Sequence, residues 1–224
     1  MRRSEINAAI SAAKTFFESR RFMLPPWAFW PPSAWKGKAR DADEIITRML
    51  GWDITDFGGN AFYARGLVLF TIRNGLPGAP GKPYAEKIMI VREEQETPMH
   101  FHRHKMEDII NRGGGNLVLE LYQSMDSGGF SSDPVTVSVD GMVRTLPPGG
   151  TVILAPGESI CLPPGLYHRF YGEQSRGAVL VGEVSMVNDD RADNRFHESI
   201  GRFPDIDEDE EPLHLLVSDY GKYL

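Results

Sequence analysis

Three histidines stand at alternate positions near the middle of the chain, His100, His102 and His104 in the segment TPMHFHRHKMEDI. Side chains alternate along a β-strand, so this spacing predicts that all three imidazoles point to one face. Glu107 follows within a few residues, and His168 lies further on in PPGLYHRFYG. Imidazole nitrogens bind divalent transition metals, and a carboxylate offsets part of the positive charge. One such histidine is more often an ordinary surface or core residue, but this many donor groups together predict a metal site.

Other charged residues are candidates for chemistry beside such a metal. Lys105 directly follows the histidine strand and is either close to a metal-bound substrate or an exposed turn lysine. Glu183 interrupts the apolar run AVLVGEVSMV, so it points either into a barrel or to solvent. In NDDRADNRFHE, Arg195 and Glu198 are spaced to reach one pocket, and the alternative is an exposed polar loop. Lys87 in EKIMIVR is a weaker candidate for substrate contact.

Short β-strands dominate the part of the chain that must position these residues. From residue 61 onward, runs such as AFYAR, LVLFTIR, NLVLELYQ and AVLVGEVSMV are separated by Gly, Pro, Asn or Asp. Asp140-Gly141 between VTVSV and MVRTL predicts a two-residue hairpin. Many short strands favour a sandwich or a closed barrel. We expect a single, mainly β domain, with a barrel core at 61–187 and a C-terminal wrap at 188–224 that adds one more strand at LHLLV.

The remaining residues, 1–60, predict a helical and aromatic extension. Residues 4–20 place apolar side chains on one helical face, with Ser4 as the N-cap. Prolines interrupt any helix between 23 and 38, where tryptophans and phenylalanines crowd between them. A second short helix is expected near Asp41, since Asp41-x-x-Glu44 resembles a capping box.

Charge and composition exclude several classes of protein. The 224 residues carry a net charge of −7, and six negative charges fall in one run, DIDEDEE, at 205–211. The rest of the chain is nearly neutral and has no basic cluster, which argues against nucleic-acid binding. The acidic run itself is expected to be a solvated surface segment.

The single cysteine and the N-terminus indicate a cytoplasmic protein. Cys161 cannot form an internal disulfide, and its apolar surroundings in ESICLPP favour a buried, inert thiol over a nucleophile. The start MRRSEINAAISAAK lacks the apolar core of a signal peptide, and runs such as GLVLFTI are too short to span a bilayer. We therefore expect no membrane partner.

The histidine segments resemble the two motifs of the cupins, a family of metal-binding β-barrels. His100-x-His102-x4-Glu107 and then Gly114 match the first motif, and Gly157, Pro163-x-Gly165 and His168 match the second. The resemblance implies a cupin-type β-barrel, or jelly roll, with His100, His102, Glu107 and His168 as ligands of one metal. The pair His102 and His104 leaves too few residues before Glu107 for this motif, so His104 becomes a neighbour of the site. The leading Gly of the first motif is Glu94 here and the trailing Asn of the second is Gly172, both outside the ligand set.

A closer resemblance runs along nearly the whole chain. The MRRSEIN start, HFHRHKMEDIINRGGGNLVLELY, PPGLYHRFYG and GEVSMVNDDRADNRF are similar to the D-lyxose isomerase family. These cupin-fold enzymes interconvert D-lyxose with D-xylulose and D-mannose with D-fructose. The resemblance implies a small sugar substrate, Mn²⁺ with Co²⁺ or Zn²⁺ as substitutes, and a homodimer.

The groups that aldose–ketose isomerisation needs suggest roles for the candidate residues outside the ligand set. The reaction moves a hydrogen between C1 and C2, and a metal-stabilised cis-enediol route needs a base and a proton shuttle nearby. The resemblance favours Lys105 and then Glu198 as catalytic residues. The aromatic side chains of Trp27, Phe29 and Trp30 either close over a sugar ring or fill a barrel end or a subunit contact. The residues expected at the substrate are therefore Lys87, Glu183, Arg195 and Trp30.

Two other activities use the same ligand set. A cupin dioxygenase would bind Fe²⁺ and consume O₂. A non-catalytic cupin would bind a sugar without turnover and would tolerate loss of Lys105. The charged residues around the predicted metal favour the isomerase over both alternatives.

Overall fold

Antiparallel strands in two sheets form the centre of the computed structural model, which describes residues 1–189 and 192–224. The strands are β1 (Gly51–Thr55), β2 (Leu67–Arg73), β3 (Tyr84–Val91), β4 (Thr97–His102), β5 (Glu107–Gly114), β6 (Leu117–Gln123), β7 (Val135–Val139), β8 (Met142–Leu146), β9 (Gly150–Leu154), β10 (Ser159–Leu162), β11 (Leu166–Gly172), β12 (Val179–Met186) and β13 (Asn194–Phe196). The larger sheet has the order β1-β2-β3-β12-β5-β10-β7-β8, and the smaller sheet β13-β4-β11-β6-β9. The helices are α1 (Arg3–Ser19), α2 (Asp43–Thr47) and α3 (Tyr220–Tyr223), with 3₁₀ turns at Pro26–Phe29 and Pro32–Trp35.

The two sheets enclose one apolar core. Every second side chain along the strands points into it, as the pleat of a β-strand requires. The core joins residues of the larger sheet to residues of the smaller, among them Leu69, Met89, Ile109, Val181, Leu119, Leu121 and Phe170. This architecture confirms the predicted cupin-type β-barrel.

The predicted hairpin at Asp140-Gly141 is confirmed. β7 and β8 pair with Val139 opposite Met142, and Asp140 and Gly141 lie at φ of 50° and 79°. Positive φ at both central residues matches the right-handed twist of the flanking strands, which is why Asp-Gly suits this turn.

An N-terminal layer covers the outer face of the larger sheet. Ile6, Ile10 and Phe17 of α1 pack against Trp52 and Phe70 of β1 and β2. Because β2 is thus buried on both faces, its sequence LVLFT is a continuous apolar run rather than an alternating one. Strand β1 lies within the predicted extension 1–60, and AFYAR at 61–65 forms a turn instead of the predicted strand.

The charged residues of the acidic run are exposed, as predicted for a solvated surface segment, and the run also binds α1. Glu208 forms an ion pair with Arg3, and the Ser4 hydroxyl donates to Asp209. Helix α1 therefore begins at Arg3 with Arg2 as its N-cap, not at a capping Ser4. Carboxylates near a helix N-terminus are favoured by the helix dipole, which gives this charged run a structural role.

Two other details of the termini differ from expectation. Helix α2 begins at Asp43 after Ala42 and has no side-chain cap, so Asp41 does not form the predicted capping box. The LHLLV segment is buried but forms only an isolated bridge, in which the Val217 N–H donates to the Trp52 carbonyl over 2.9 Å. Among the described residues, no helix is long and apolar enough to cross a membrane.

Candidate metal centre and active site

Strands β4 and β11 bring three imidazoles to one point inside the barrel. His100 and His102 alternate along β4, and His168 on β11 is paired with His100 in the sheet register. All three side chains are buried, and their ligand nitrogens lie within 4.8 Å of one another. His104 does not join them because β4 ends at His102, and His104 is exposed beyond the strand end. The prediction that all three alternate histidines share a face is therefore wrong for His104.

Glu107, the first residue of β5, brings a carboxylate to the same point. Its Oε1 lies 3.1 Å from His168 Nε2 and 3.3 Å from His102 Nε2. Burial alone would raise the pKa of Glu107, but Lys105 and His102 outweigh burial and hold this pKa well below its ordinary value. Burial lowers the pKa of His100 and His102. His100 and His102 are thus neutral imidazoles and Glu107 is a carboxylate, the protonation states in which these side chains bind metal.

Backbone contacts orient two of the imidazoles. His100 Nδ1 donates to the Pro98 carbonyl over 2.7 Å, and His168 Nδ1 to the Leu166 carbonyl over 3.0 Å. These bonds leave the Nε2 lone pairs facing the cluster, where among residues 1–189 and 192–224 the buried His168 Nε2 makes no hydrogen bond, although Glu107 Oε1 lies 3.1 Å away. A buried nitrogen without a partner is costly, whereas a cation among these donors would satisfy it. The donor set therefore fits a divalent transition metal.

A buried network of lysines and glutamates adjoins the cluster. Lys105 Nζ lies 2.7 Å from Glu107 Oε2 and 2.9 Å from Glu183 Oε1. Glu183 Oε1 also lies 3.2 Å from Lys87 Nζ, and Lys87 donates to Asn188 Oδ1 over 2.8 Å.

Burial would lower the pKa of Lys105, but the two carboxylates raise it above its ordinary value. Burial would raise the pKa of Glu183, but Lys105 and Lys87 lower it. Both partners of the Lys105–Glu183 pair are therefore charged near neutral pH.

His100, His102 and Glu107 of the cluster and the network residues Lys87, Lys105 and Glu183 border one small cavity of about 50 Å³. The strands supply the metal donors and the ion pairs, while other segments cover them with Phe57, Asn194, Phe196 and Arg202. Arg202 is held by Asp53 of β1 at 2.6 Å, so the C-terminal wrap is tied to the larger sheet. The sequence did not indicate these four residues, because Phe57 and Arg202 lie on irregular segments and β13 is too short, at three residues, to show a period.

Comparison with known proteins agrees with this arrangement. The family model described as D-lyxose isomerase matches residues 1–220. The chain belongs to the D-lyxose isomerase family. It is 48% identical over 229 residues to the D-lyxose/D-mannose isomerase of Serratia proteamaculans, and 48% identical over 228 residues to that of Escherichia coli O157:H7. Both alignments cover 100% of each chain.

Solved structures share the fold of this D-lyxose isomerase family member at lower identity. The L-ribose isomerase of Cellulomonas parahominis with L-ribose has a TM-score of 0.62 at 17% identity, covering 92% of this chain and 98% of its own. The L-ribose isomerase of Geodermatophilus obscurus has a TM-score of 0.60 at 15% identity, with the same coverage. These similarities support the fold alone.

The structure does not bring three of the predicted site residues of this family member to the cavity. Glu198 is 54% exposed and pairs with Arg65 at 2.8 Å. Arg195 borders a separate groove of about 720 Å³, which also contains Lys105 and His104. Trp30 packs edge-to-face on Trp35 in the outer layer, with ring centroids 5.1 Å apart. Loop and proline-rich sequences gave no reliable indication of side-chain direction at these positions.

Cys161 on β10 is half-buried and lies outside this cavity. Burial and the neighbouring Asp108 raise the pKa of its thiol to about 11. A thiol that stays protonated at neutral pH is a poor nucleophile, which agrees with the predicted inert role.

Proposed function

We propose that this protein is a metal-dependent aldose–ketose isomerase that interconverts D-lyxose with D-xylulose and D-mannose with D-fructose. One observation carries the proposal: the buried metal donors His100, His102 and Glu107 border the same cavity as the buried, charged Lys105–Glu183 pair. The relatives named D-lyxose/D-mannose isomerase support the choice of substrates. Such a cavity offers both a cation and proton-transfer groups to one small molecule.

His100, His102, Glu107 and His168 would hold the metal. When bound, a divalent ion would act as a Lewis acid that polarises the sugar carbonyl. The nitrogen and oxygen donors suit Mn²⁺, Co²⁺ or Zn²⁺, and we propose Mn²⁺ as the native ion. The network keeps the donor set ready for the ion, because Lys105 holds Glu107 as a carboxylate and burial keeps His100 and His102 neutral.

Glu183 and Lys105 would move the proton. Glu183 is a carboxylate whose two neighbouring lysines keep it ionised, so it could accept the proton from C2 of the aldose, which gives the enediol, and return it to C1. The ketose forms when the hydroxyl proton of O2 also passes to O1. Lys105 is a cation that can stabilise charge on the adjacent oxygen and donate a hydrogen bond to it. Lys87 holds Glu183 from the other side and would position it.

The cover over the cavity would open to admit the sugar. A volume of about 50 Å³ is well below the roughly 300–1,000 Å³ of ordinary ligand sites. The metal donors sit on paired strands, whereas Phe57 and Arg202 come from irregular segments with fewer ladder bonds. Movement of these segments is the less costly route to a larger cavity. Arg202 would then supply hydrogen-bond donors to sugar hydroxyls when the cover closes.

The oligomeric state and the cellular location stay predictions of the family resemblance. We propose a homodimer in the cytoplasm. Sedimentation of the purified protein tests the first, and fractionation of cells tests the second.

The activity is tested by removing and restoring the metal. Protein stripped with chelator and reloaded with Mn²⁺ is incubated with D-lyxose or D-mannose in deuterated water, and the ketose is followed by NMR. We expect Mn²⁺-dependent ketose that carries deuterium at C1, because Glu183 exchanges its proton with solvent. Ketose without deuterium would contradict the exchanging base but keep the isomerase. Failure of the metal-replete protein to convert either sugar would overturn the function, and oxygen uptake would then test the dioxygenase.

A matched pair of variants distinguishes loss of the metal donor Glu107 from damage to strand β5. Glu107→Gln removes the carboxylate donor, so we expect loss of both Mn²⁺ binding and ketose formation. Asp108→Asn changes the next residue of β5, which is exposed on the opposite face, and should leave both unchanged. Equal effects of the two variants would indicate damage to the strand instead of loss of a ligand.

A further inference from the structure

The three imidazoles of the metal centre differ at Nδ1. In His100 and His168, Nδ1 donates to a backbone carbonyl two residues earlier in the chain. In His102, Nδ1 is buried and has no hydrogen-bond partner among the described residues. A metal-binding imidazole normally donates its second N–H to an acceptor, which fixes the tautomer and the ring orientation. His102 therefore lacks the acceptor that its two neighbours have.

Asp193 is the acid that faces this nitrogen. Its Oδ2 lies 4.0 Å from His102 Nδ1, and both side chains are more than nine-tenths buried. The carboxylate is already held in place, since it accepts the His104 N–H at Oδ1 over 2.8 Å and the Lys105 N–H at Oδ2 over 3.1 Å. Its own carbonyl accepts the Arg103 N–H over 3.1 Å. Asp193 thus binds the loop after β4 at three points.

We propose that Asp193 is a positioning residue that accepts the Nδ1–H of His102 when the centre holds its metal. This inference rests on the metal site proposed above. In the structure, His102 Nε2 lies 3.3 Å from Glu107 Oε1. When Nε2 binds an ion, the proton of the neutral ring must be at Nδ1, and the buried Nδ1–H needs an acceptor. Asp193 reaches it with a movement of about 1 Å.

The same side chain joins the metal centre to the cover. Asp193 immediately precedes β13, and Asn194 and Phe196 of that strand border the cavity. β13 is paired along β4, with Asn194 opposite His102. The contact with His102 would therefore also hold β13 in its place beside β4.

Replacement of Asp193 by Asn would misdirect this contact. The carboxylate uses one oxygen for each of two backbone N–H groups, and Oδ2 is also the atom nearest His102. An Asn amide has a single oxygen, so one N–H would face an NH₂ group. If the amide oxygen keeps its hydrogen bond with the His104 N–H, the amide NH₂ group faces the Lys105 N–H and His102 Nδ1. That NH₂ group can donate a hydrogen bond to His102 Nδ1, which favours the tautomer with its proton at Nε2. A proton at Nε2 occupies the lone pair that would bind the metal.

Titration of stripped protein with Mn²⁺ tests the proposal, with free Mn²⁺ followed by electron paramagnetic resonance. We expect Asp193→Asn to raise the Kd for Mn²⁺ about 10- to 100-fold, the usual effect of removing such a partner. Asp189→Asn is the control, because Asp189 lies in the same segment and caps the Ala192 N–H over 3.2 Å. Its Kd should stay within about two-fold of the wild-type value, which is small beside the effect at Asp193.

The outcomes separate this inference from the metal site itself. Failure of the wild-type protein to bind Mn²⁺ would overturn both the proposed metal site and the role of Asp193. Wild-type affinity in Asp193→Asn would overturn only the role of Asp193. A merely structural role would lower the melting temperature of the stripped protein in Asp193→Asn and leave the Kd of the folded fraction unchanged.

A measurement on the wild-type protein keeps the inference testable if Asp193→Asn does not fold. Protein labelled with ¹⁵N-histidine and loaded with Zn²⁺ alone is studied by NMR. We expect His102 to carry its proton at Nδ1, and that proton to exchange slowly with solvent because a carboxylate accepts it. An Nδ1 proton that exchanges as fast as that of an exposed imidazole would contradict the contact.

Discussion

Two buried ionic clusters of this molecule look alike in composition but differ in what surrounds them. The pocket cluster consists of Lys87, Lys105, Glu107 and Glu183. The anchor cluster consists of Arg3, Glu208 and Asp219, and Arg3 is fully buried between the two carboxylates. Each places a buried cation between two acids, and in each the carboxylates raise the pKa of that cation against the opposing effect of burial.

The bonding capacity of the anchor cluster is filled. Arg3 donates through three nitrogens, and Asp219 Oδ2 also accepts the Leu216 N–H over 2.9 Å. In the pocket cluster, Glu107 Oε1 instead lies 3.1 Å from His168 Nε2, a buried nitrogen that makes no hydrogen bond within the described part of the chain, and Glu107 itself borders a cavity. Burial and ion pairing alone therefore do not mark a functional site. A functional site is marked instead by polar atoms with unfilled hydrogen-bonding capacity beside a cavity.

Glu183→Gln would break the pocket cluster with the largest expected effect. The amide keeps the shape of the side chain and its contact with Lys105 but cannot accept a proton. We expect kcat for D-lyxose to fall about 10²- to 10⁴-fold, the usual contribution of a general base. Mn²⁺ binding should persist, since Glu183 is not in the donor set.

The control for Glu183→Gln is Glu86→Gln on the paired strand β3. Glu86 pairs with Arg73 at 2.9 Å and does not border the cavity, so kcat should be unchanged. A Glu183→Gln enzyme with wild-type kcat would exclude Glu183 as the base and leave the metal site standing.

The contrast between the clusters also explains what the sequence could predict. His100, His102, Glu107 and His168 lie on regular strands with characteristic spacing, so their meeting point was predictable. Glu183 was predictable as a candidate because a charge interrupts an apolar strand. In both cases the period of a strand converts a position in the sequence into a direction in space.

Residues on irregular segments could not be placed in this way. Arg202 reaches the cavity from a segment that Asp53, 149 positions away in the chain, holds in place. Glu198 was a reasonable catalytic candidate, but Arg65 binds it at the surface. The anchor cluster was missed for the same reason, because nothing near Arg3 in the sequence indicates that 208 and 219 surround it. Long-range ion pairs depend on the tertiary fold and leave no local pattern.

Arg3→Met would break the anchor cluster and leave the pocket cluster intact. Removal of the guanidinium leaves Asp219 as a buried charge without its partner, which costs about 3–5 kcal/mol of unfolding free energy. Urea unfolding measures this loss. At temperatures where the variant stays folded, kcat and KM should match the wild type. A second substitution, Asp219→Asn, should recover part of the stability because it removes the unpaired charge.

A change in kcat of folded Arg3→Met would contradict this separation of the two clusters. It would mean that the N-terminal layer transmits its position to the cavity, most directly through β1, whose Asp53 holds Arg202.

The smallest effect is expected at the exposed edge of the anchor cluster. The hydrogen bond from Arg3 lowers the pKa of Glu208 from 4.5 to about 2. A lowered folded-state pKa stabilises the protein above the unfolded value, and this contribution is lost as the pH falls from about 4.5 towards 2. Because Glu208 is 38% exposed, solvent screens the pair and we expect only about 0.2–1 kcal/mol. Urea unfolding of wild type and Glu208→Gln should therefore differ slightly at pH 7 and converge near pH 2. A difference that persists at low pH would show that the side chain stabilises α1 by packing instead of charge.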